Sequence, residues 1–155
     1  MAGPLKSGNI QTTSKISKKK VAIIVAEWNE EITESLYTGA LDTLLQNGFK
    51  DTHVIRKNVP GTFELSLAAL WMAEKKNIDA VICLGCVIQG ETPHFDYICQ
   101  AVAYGITEVS LKTRKPVIFG VLTTLNKQQA LDRSGGKYGN KGEEAALTAI
   151  KMIEF

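Results

Sequence analysis

Residues 78–102 read IDAVICLGCVIQGETPHFDYICQAV, and the hydrophobic pattern changes in the middle of this stretch. Its first half is almost entirely apolar, which is typical of a strand buried on both faces of a parallel sheet. After Gly90 the apolar residues recur at spacings of three and four, from Ile98 to Val109, which predicts a helix. A buried strand that leads directly into a helix is the repeating unit of an α/β protein.

The rest of the chain alternates in the same way. Further strands are predicted at residues 19–28, 52–61 and 115–124. Further helices are predicted from Glu30 to a glycine stop at Gly48, and at residues 65–77, 126–133 and 141–153. Alternating strands and helices predict a parallel sheet that is covered on both faces. The predicted fold is therefore a three-layer α/β/α sandwich with a central, mainly parallel four-stranded sheet and flavodoxin-like topology.

The composition is that of an ordinary globular protein. The chain has 155 residues, of which 45% are apolar and 22% charged, and this length favours one domain. We expect residues 1–19 to form a tail and residues 20–155 to form the domain. The net charge of +2 is too small for a nucleic-acid-binding protein. No apolar stretch reaches the ~18 residues of a membrane span, and no signal peptide is evident, so we expect a cytoplasmic protein without a membrane partner.

The three cysteines, Cys83, Cys86 and Cys99, do not indicate a metal or redox site. An odd number of cysteines without an export signal favours a reducing compartment. Cys83 and Cys86 have the C-x-x-C spacing, but side chains alternate along a strand, so these two thiols should point to opposite faces. No second cysteine pair is present to complete a metal site.

The junction between the central strand and its helix, residues 90–94, is the first candidate binding site. Ligands of parallel sheets bind beyond the carboxyl ends of the strands. Thr92 suits the N-cap of the helix, Pro93 suits its first position, and Gly90 allows a sharp turn. The free N–H groups at this helix end favour an anion such as phosphate, and His94 beside it can exchange protons near neutral pH. The alternative, that His94 only caps or packs, stays open.

Two other strand ends carry aromatic and acidic residues. Trp28 directly follows the first strand, where its face can cover a planar ligand, although a tryptophan at a strand end is more often part of the core. Phe63 and Glu64 follow a Pro-Gly turn after the second strand. The Glu64 carboxylate can accept hydrogen bonds from hydroxyl groups or stabilise the N-terminus of the next helix, and the two roles are compatible.

A glycine-rich segment, DRSGGKYGNKGEE at residues 132–144, leads into the last helix. Arg133 offers a bidentate fork for phosphate, and Lys137 and Lys141 add positive charge. The segment is therefore a second candidate anion site. The alternative is a flexible surface loop with ordinary solvated cations.

Four of these stretches together resemble the lumazine synthase family. They are VPGTFELSLAA, GCVIQGETPHFDYI, KPVIFGVLTT and RSGGKYGNKGEEAA, and they occur in the family's order from about Lys20 to the C-terminus. The resemblance implies a transferase of riboflavin biosynthesis that condenses 5-amino-6-(D-ribitylamino)uracil with 3,4-dihydroxy-2-butanone 4-phosphate. The implied product is 6,7-dimethyl-8-ribityllumazine, phosphate and water are released, and neither metal nor cofactor takes part.

The resemblance also assigns roles to individual residues. It implies that Trp28 stacks on the pyrimidine and that His94 shuttles protons. The residues implied to contact the pyrimidine or its ribityl chain are Trp28, Thr62, Phe63, Glu64, Cys86, Val87, Ile88 and Phe119, the last supplied by a neighbouring subunit. The residues implied to bind phosphate are Glu91, Thr92, Arg133 and Lys141.

The family resemblance further implies an oligomer. Members assemble as pentamers, and many form an icosahedral shell of sixty subunits that can hold riboflavin synthase as cargo. We therefore expect a homopentamer with shared active sites, in which residues 1–19 add a strand to a neighbour's sheet. The linker SGGKYGNKG has no extra residues relative to shell-forming members, which favours a shell.

The sequence departs from the commonest family pattern at three positions. Trp28 replaces a phenylalanine, Gln89 a basic residue and Cys86 a small residue, and none of these changes removes a role. The alternative function is a non-catalytic flavin-binding or shell-forming protein on the same fold, but such a protein should have lost His94 or Arg133. A flavodoxin-like electron carrier needs a glycine- and hydroxyl-rich phosphate loop after the first strand, where this chain has AEWNEE.

Overall fold

A computed structural model describes residues 15–155 of the chain. Residues 1–14 of the expected tail lie outside the described residues, so the strand that the tail is expected to add to a neighbour stays a prediction. The rest of the tail contains a short 3-10 turn, Ile16–Lys18, in which Ile16 is buried against the core. Within residues 15–155, every helix is too short or too polar to span a bilayer.

Four parallel strands form the central sheet. They are β1 (Val21–Ala26), β2 (Val54–Val59), β3 (Ala80–Ile88) and β4 (Val117–Thr124). Their order in the sheet is β2-β1-β3-β4, so β2 and β4 are the edge strands. The helices are α1 (Glu30–Gln46), α2 (Leu65–Ala73), α3 (His94–Thr113), α4 (Lys127–Leu131) and α5 (Lys141–Ile153). This arrangement confirms the predicted three-layer α/β/α fold.

Apolar helices cover both faces of the sheet. α1 and α5 pack on one face, and α2 and α3 pack on the other, which gives two clusters of buried side chains. Every residue of β1 is buried. Because β1 and β3 lie in the middle of the sheet, neither strand has a solvated face, and this explains the unbroken apolar runs in their sequences.

The two thiols of the C-x-x-C pair point to opposite faces of β3, as the alternation of strand side chains predicts. Cys83 packs with α2 and α3, whereas Cys86 packs with α1 and α5. Within the part of the chain that the structure describes, no group of three or more His, Cys, Asp or Glu side chains is placed to hold a metal ion.

α1 and α5 cross at very short range. Gly142 lies against the Leu36 carbonyl of α1, and a Cβ at position 142 would overlap that oxygen. Asn140 caps α5 because its side-chain oxygen accepts a hydrogen bond from the Gly142 N–H (2.8 Å). The same side chain donates to the Ser35 carbonyl of α1 (2.9 Å). The start of α5 is therefore held against α1 by two contacts, Gly142 with Leu36 and Asn140 with Ser35.

The glycine-rich segment before α5 is a small antiparallel hairpin. Its strands are β5 (Ser134–Gly136) and β6 (Gly139–Asn140), and Gly135 and Gly139 both have positive φ angles. Only glycine adopts such angles without strain, which explains the glycines here. The segment is therefore a short paired hairpin and not an irregular loop.

Two local expectations at the start of α3 are also wrong. The helix begins at His94, with Pro93 rather than Thr92 as its N-cap, and no side chain caps it. Pro93 is already in the right-handed helical region, and its carbonyl accepts the first backbone hydrogen bonds of the helix. Gly90 has no positive φ, and a Cβ there would meet nothing within 4 Å, so this turn does not require glycine.

Candidate active site

An open cleft of about 830 Å³ lies at the carboxyl ends of β1 and β3, beside the N-terminus of α3. It is lined by Trp28, Asn29, Gly61, Thr62, Phe63, Glu64, Cys86, Val87, Ile88, His94, Tyr97, Ile98 and Ala101. The cleft therefore brings together His94 and every predicted pyrimidine-binding residue except Phe119.

Trp28 stands open to this cleft, with 70% of its surface exposed. The alternative interpretation, in which Trp28 belongs to the core, is therefore wrong. Its backbone N–H donates to the Pro60 carbonyl (3.2 Å), which ties the loop after β1 to the turn after β2. A Cβ at Gly61 would come within 3.4 Å of Trp28 Cε3 and within 3.0 Å of Glu64 Oε2. The indole ring and the Glu64 carboxylate therefore both border Gly61, and glycine leaves the space between them open.

The turn after β2, Thr62–Glu64, presents one buried and two exposed side chains. Thr62 is only 5% exposed and packs against β3 at Gly85, where a Cβ would come within 2.8 Å of Thr62 Oγ1. The glycine in β3 therefore lets this turn approach the strand. Phe63, by contrast, is exposed beside the cleft, so its ring is available to a ligand.

His94 is the first residue of α3, and its side chain is exposed at the cleft. The side chain is not buried, and no side chain caps the helix, so the alternative that His94 only packs or caps is wrong. Glu91 and Thr92 lie in the exposed loop directly before it. The first N–H groups of this 20-residue helix lack intrahelical partners, and the helix dipole favours an anion at this end.

A second concavity, the edge groove, runs along the free edge of β4 and has a volume of about 590 Å³. It is lined by Val117–Thr124, Arg133, Lys141, Glu144, Ala145 and Thr148. Phe119, Arg133 and Lys141, which the family resemblance assigns to the same site as His94, all lie in this groove. Within one subunit, none of these three residues lines the cleft that contains His94. The predicted site residues are therefore divided between two places on the surface.

The edge groove holds its charges in fixed positions. Arg133 Nη1 donates to the Gln129 carbonyl (2.9 Å), and the guanidinium carbon lies 4.9 Å from the centre of the Tyr138 ring. Lys141 pairs with Glu144 at 2.7 Å, so part of its charge is balanced inside the groove. Thr124 Oγ1 is buried without a hydrogen-bond partner among residues 15–155. The groove therefore presents a positioned guanidinium, whereas the Thr124 hydroxyl, unpartnered among the described residues, is buried in its wall.

Two polar side chains of the cleft, those of Asn29 and Tyr97, were not predicted from the sequence. Asn29 follows Trp28 directly, and its side-chain amide donates a hydrogen bond to the Cys86 carbonyl of β3. Tyr97 lies one helical turn after His94, so the spacing of three residues could have placed it on the same side of the helix. No comparable spacing pointed to Asn29, because its role depends on a contact with a strand that is distant in sequence.

The thiols near the cleft are poor nucleophiles. Burial raises the pKa of the Cys86 thiol to about 11 and that of Cys83 to about 12. Both groups are therefore protonated at neutral pH. Cys86 thus contributes to the cleft through its backbone and its volume rather than through thiolate chemistry.

Comparison with known proteins agrees with this geometry. The family model for 6,7-dimethyl-8-ribityllumazine synthase matches residues 18–155, which include both the cleft and the edge groove. A Cytophaga hutchinsonii protein named 6,7-dimethyl-8-ribityllumazine synthase is 68% identical over 138 residues, which cover 89% of this chain and 87% of the relative. A protein of the same name from Parabacteroides distasonis is 55% identical over 139 residues, or 90% of this chain and 87% of the relative. The chain belongs to the 6,7-dimethyl-8-ribityllumazine synthase family.

Proposed function

We propose that the cleft is the active site in which this chain makes 6,7-dimethyl-8-ribityllumazine for riboflavin biosynthesis. The chain is a transferase by its family, and the substrates are 5-amino-6-(D-ribitylamino)uracil and 3,4-dihydroxy-2-butanone 4-phosphate. The observation that carries the proposal is the meeting of an exposed indole, a carboxylate and a histidine at one helix N-terminus, contributed by Trp28, Glu64 and His94.

The pyrimidine fits the part of the cleft between β1 and β3. The open Trp28 ring stacks on the planar heterocycle, and the backbone at Cys86–Ile88 contacts its polar edge. Thr62, Phe63 and Glu64 hold the ribityl chain, for which the Glu64 carboxylate supplies two hydrogen-bond acceptors. The free space beside Gly61 supports this placement, because a larger side chain there would enter the cleft.

The phosphate of the second substrate fits the start of α3. Glu91 and Thr92 bind it through backbone N–H groups, and the dipole of α3 adds a favourable field. The substrate amine attacks the ketone and an imine forms with loss of water. Phosphate then leaves, and ring closure expels water. Each step moves a proton, and His94 lies where it can carry these protons.

The edge groove completes this site in a neighbouring subunit. Phe119, Arg133 and Lys141 line the groove and not the cleft of their own subunit, which supports a role for them in the cleft of a second copy. Arg133 then clamps the phosphate and stabilises its charge as it departs. Lys141 has a smaller share in this role because Glu144 already balances its charge.

Exposed apolar side chains support the subunit contact. They lie on the outer sides of α2 and α3 and include Leu67, Trp71, Tyr97, Tyr104 and Leu111. Tyr97, Tyr104 and Leu111 recur every seven residues, so they form a stripe along α3 that starts in the cleft. Exposed apolar patches of this kind mark protein interfaces. We place a homopentamer here, with an icosahedral shell and riboflavin synthase cargo as further steps of assembly.

The two open edges of the sheet, at β2 and β4, support the expected role of the tail. An edge strand offers unpaired N–H and C=O groups to an added strand. The part of the 1–19 tail that precedes the Ile16–Lys18 turn is therefore proposed to pair with a free edge strand, β2 or β4, of the next copy. Such pairing covers an edge that otherwise invites aggregation.

The direct test is turnover by the purified protein without added metal or cofactor. Both substrates are mixed with the protein, and lumazine absorbance and released phosphate are followed against an enzyme-free control. We expect acceleration with one phosphate released per lumazine formed, a ratio that the reaction itself fixes. An uncatalysed rate, with the pyrimidine still bound, would instead mean that the cleft serves binding or shell assembly without catalysis.

A further inference from the structure

Asn29 has an unusual conformation at the wall of the cleft. It lies between β1 and α1, with φ 61° and ψ 44°, in the left-handed region that few residues other than glycine adopt readily. It occupies the N-cap position of α1, yet its side chain makes no capping hydrogen bond. Asparagine tolerates this left-handed conformation better than most residues, but a capping role does not account for its side chain.

The Asn29 side chain instead joins two strand ends. Asn29 Nδ2 donates to the Cys86 carbonyl at 2.9 Å. The β1–β3 ladder ends at the pair Val25 and Leu84, so Cys86 lies beyond its last paired residue. The asparagine amide therefore supplies a link between the loop after β1 and the end of β3 at the point where backbone pairing has stopped.

This link lies between the two walls that hold a planar ring. Trp28 precedes Asn29 in the chain, and the backbone at Cys86 and Val87 forms the opposite part of the cleft. Because Trp28 is 70% exposed, few packing contacts fix its ring, and its position depends on the backbone that carries it. A residue that fixes the backbone at Trp28 relative to β3 also fixes the distance between the Trp28 ring and the end of β3, where a heterocycle would enter.

We propose that Asn29 is a positioning residue that sets the distance between the Trp28 ring and the end of β3, and thereby the affinity for the pyrimidine substrate. The left-handed backbone at Asn29 turns the chain after Trp28. The hydrogen bond from the Asn29 side-chain amide to the Cys86 carbonyl fixes that turn against β3. The bond also occupies the Cys86 carbonyl, which leaves the neighbouring backbone groups of β3 to read the pyrimidine edge. The inference rests on the proposed function, because it needs a planar ligand in this cleft.

The test is calorimetric titration of the pyrimidine substrate alone into the full-length protein and its variants. Asn29→Gly keeps the left-handed turn and removes the amide, so it isolates the hydrogen bond. Asn29→Asp keeps the shape but places a carboxylate oxygen against the Cys86 carbonyl. We expect the Kd to rise about 5-fold in Asn29→Gly, which corresponds to one net hydrogen bond, and further in Asn29→Asp.

A matched control is Asn47→Gly, at the other end of α1, where Asn47 Nδ2 donates to the Thr43 carbonyl (2.8 Å). We expect this variant to keep the wild-type Kd, and we expect the KM for the butanone phosphate to stay unchanged in all three variants. An unchanged Kd in both Asn29 variants would overturn the inference. Equal weakening in Asn47→Gly would also overturn it, since the effect would then be general loosening of α1.

Turnover assays on the same proteins separate this inference from the proposed function. If the wild type binds the pyrimidine but does not form lumazine, the proposed function fails, while the ratio of the Kd values still decides the role of Asn29. If the wild type does not bind the pyrimidine, the gap holds no planar substrate and the inference is overturned as well.

Discussion

His94 and Trp28 are exposed residues of types that are usually buried or partnered, and this exposure favours a role in binding or catalysis over a structural one. His94 stands at a helix end that favours anions, in the cleft where we propose that a planar ring binds. The substrate amine is already a competent nucleophile, so alignment of the two substrates contributes more to the rate than proton transfer does. The histidine is then needed for speed rather than for the reaction to occur at all.

The first prediction follows from that division of roles. We expect His94→Ala to lower kcat by about 10²-fold, the lower end for general acid–base catalysis, because substrate positioning remains intact. Steady-state kinetics with saturating substrates measures this loss. The matched control is His53→Gln, which changes the other histidine of the chain, and we expect it to keep the wild-type kcat. Full turnover in His94→Ala would remove the histidine from the mechanism.

The second prediction concerns the buried thiols. With pKa values of about 11 for Cys86 and about 12 for Cys83, almost no thiolate exists at pH 8. We therefore expect Ellman's reagent to modify each of them at least about 100-fold more slowly in the native protein than in guanidinium chloride. Per-residue labelling by mass spectrometry reads this out. A Cys86 that reacts at the unfolded rate would contradict the burial described here.

The same raised pKa values predict a pH dependence of stability. The folded protein keeps protons on Cys83 and Cys86 that the unfolded chain, with thiol pKa values near ~8.5, releases as pH rises. Their contribution to the free energy of unfolding is therefore fully present below about pH 8.5 and declines up to about pH 12, the folded pKa of Cys83. Replacing both cysteines with alanine should flatten this part of the profile. A profile that does not change in the double variant would contradict the assignment to these thiols.

The elements themselves were the most predictable part of the structure. The bounds of α5 match the predicted residues 141–153, because an amphipathic helix with one buried face has an unambiguous period. The start of α3 was less predictable, since Pro93 suits both the N-cap and the first turn. The β5–β6 hairpin was missed because its glycines indicate unusual backbone angles without indicating which strands pair.

The close contact between α1 and α5 depends on Gly142. A Cβ at this position would overlap the Leu36 carbonyl oxygen, and neither backbone can move without shifting α1 or α5. We expect Gly142→Ala to lower the free energy of unfolding by about 3 kcal/mol, the upper range for overpacking. Chemical denaturation measures the change. Gly90→Ala is the matched control, since its Cβ would meet nothing within 4 Å, and we expect it to unfold like the wild type.

Residues that the family motifs assign to one active site lie in two separate concavities of the folded subunit. Phe119, Arg133 and Lys141 lie in the edge groove, and His94 lies in the cleft. The family resemblance implied this division for Phe119 alone. It did not reveal the division for Arg133 and Lys141, because sequence motifs record which residues are present and not which strand has a free edge. The position of β4 at the edge of the sheet is what turns three site residues away from their own cleft. The proposed active site therefore requires two copies of the chain.

The most direct measurement of this claim is subunit complementation. His94→Ala has an intact edge groove, and Arg133→Ala has an intact cleft, so each variant alone lacks one half of every site. Equal amounts are dissociated, mixed and reassembled, and lumazine formation is compared with that of the two parents treated in the same way. In a ring of randomly mixed copies, about one quarter of the cleft–groove pairs contain both intact halves. We expect the mixture to recover about one quarter of the wild-type activity, whereas activity no higher than the mean of the two parents would show that His94 and Arg133 do not meet across subunits.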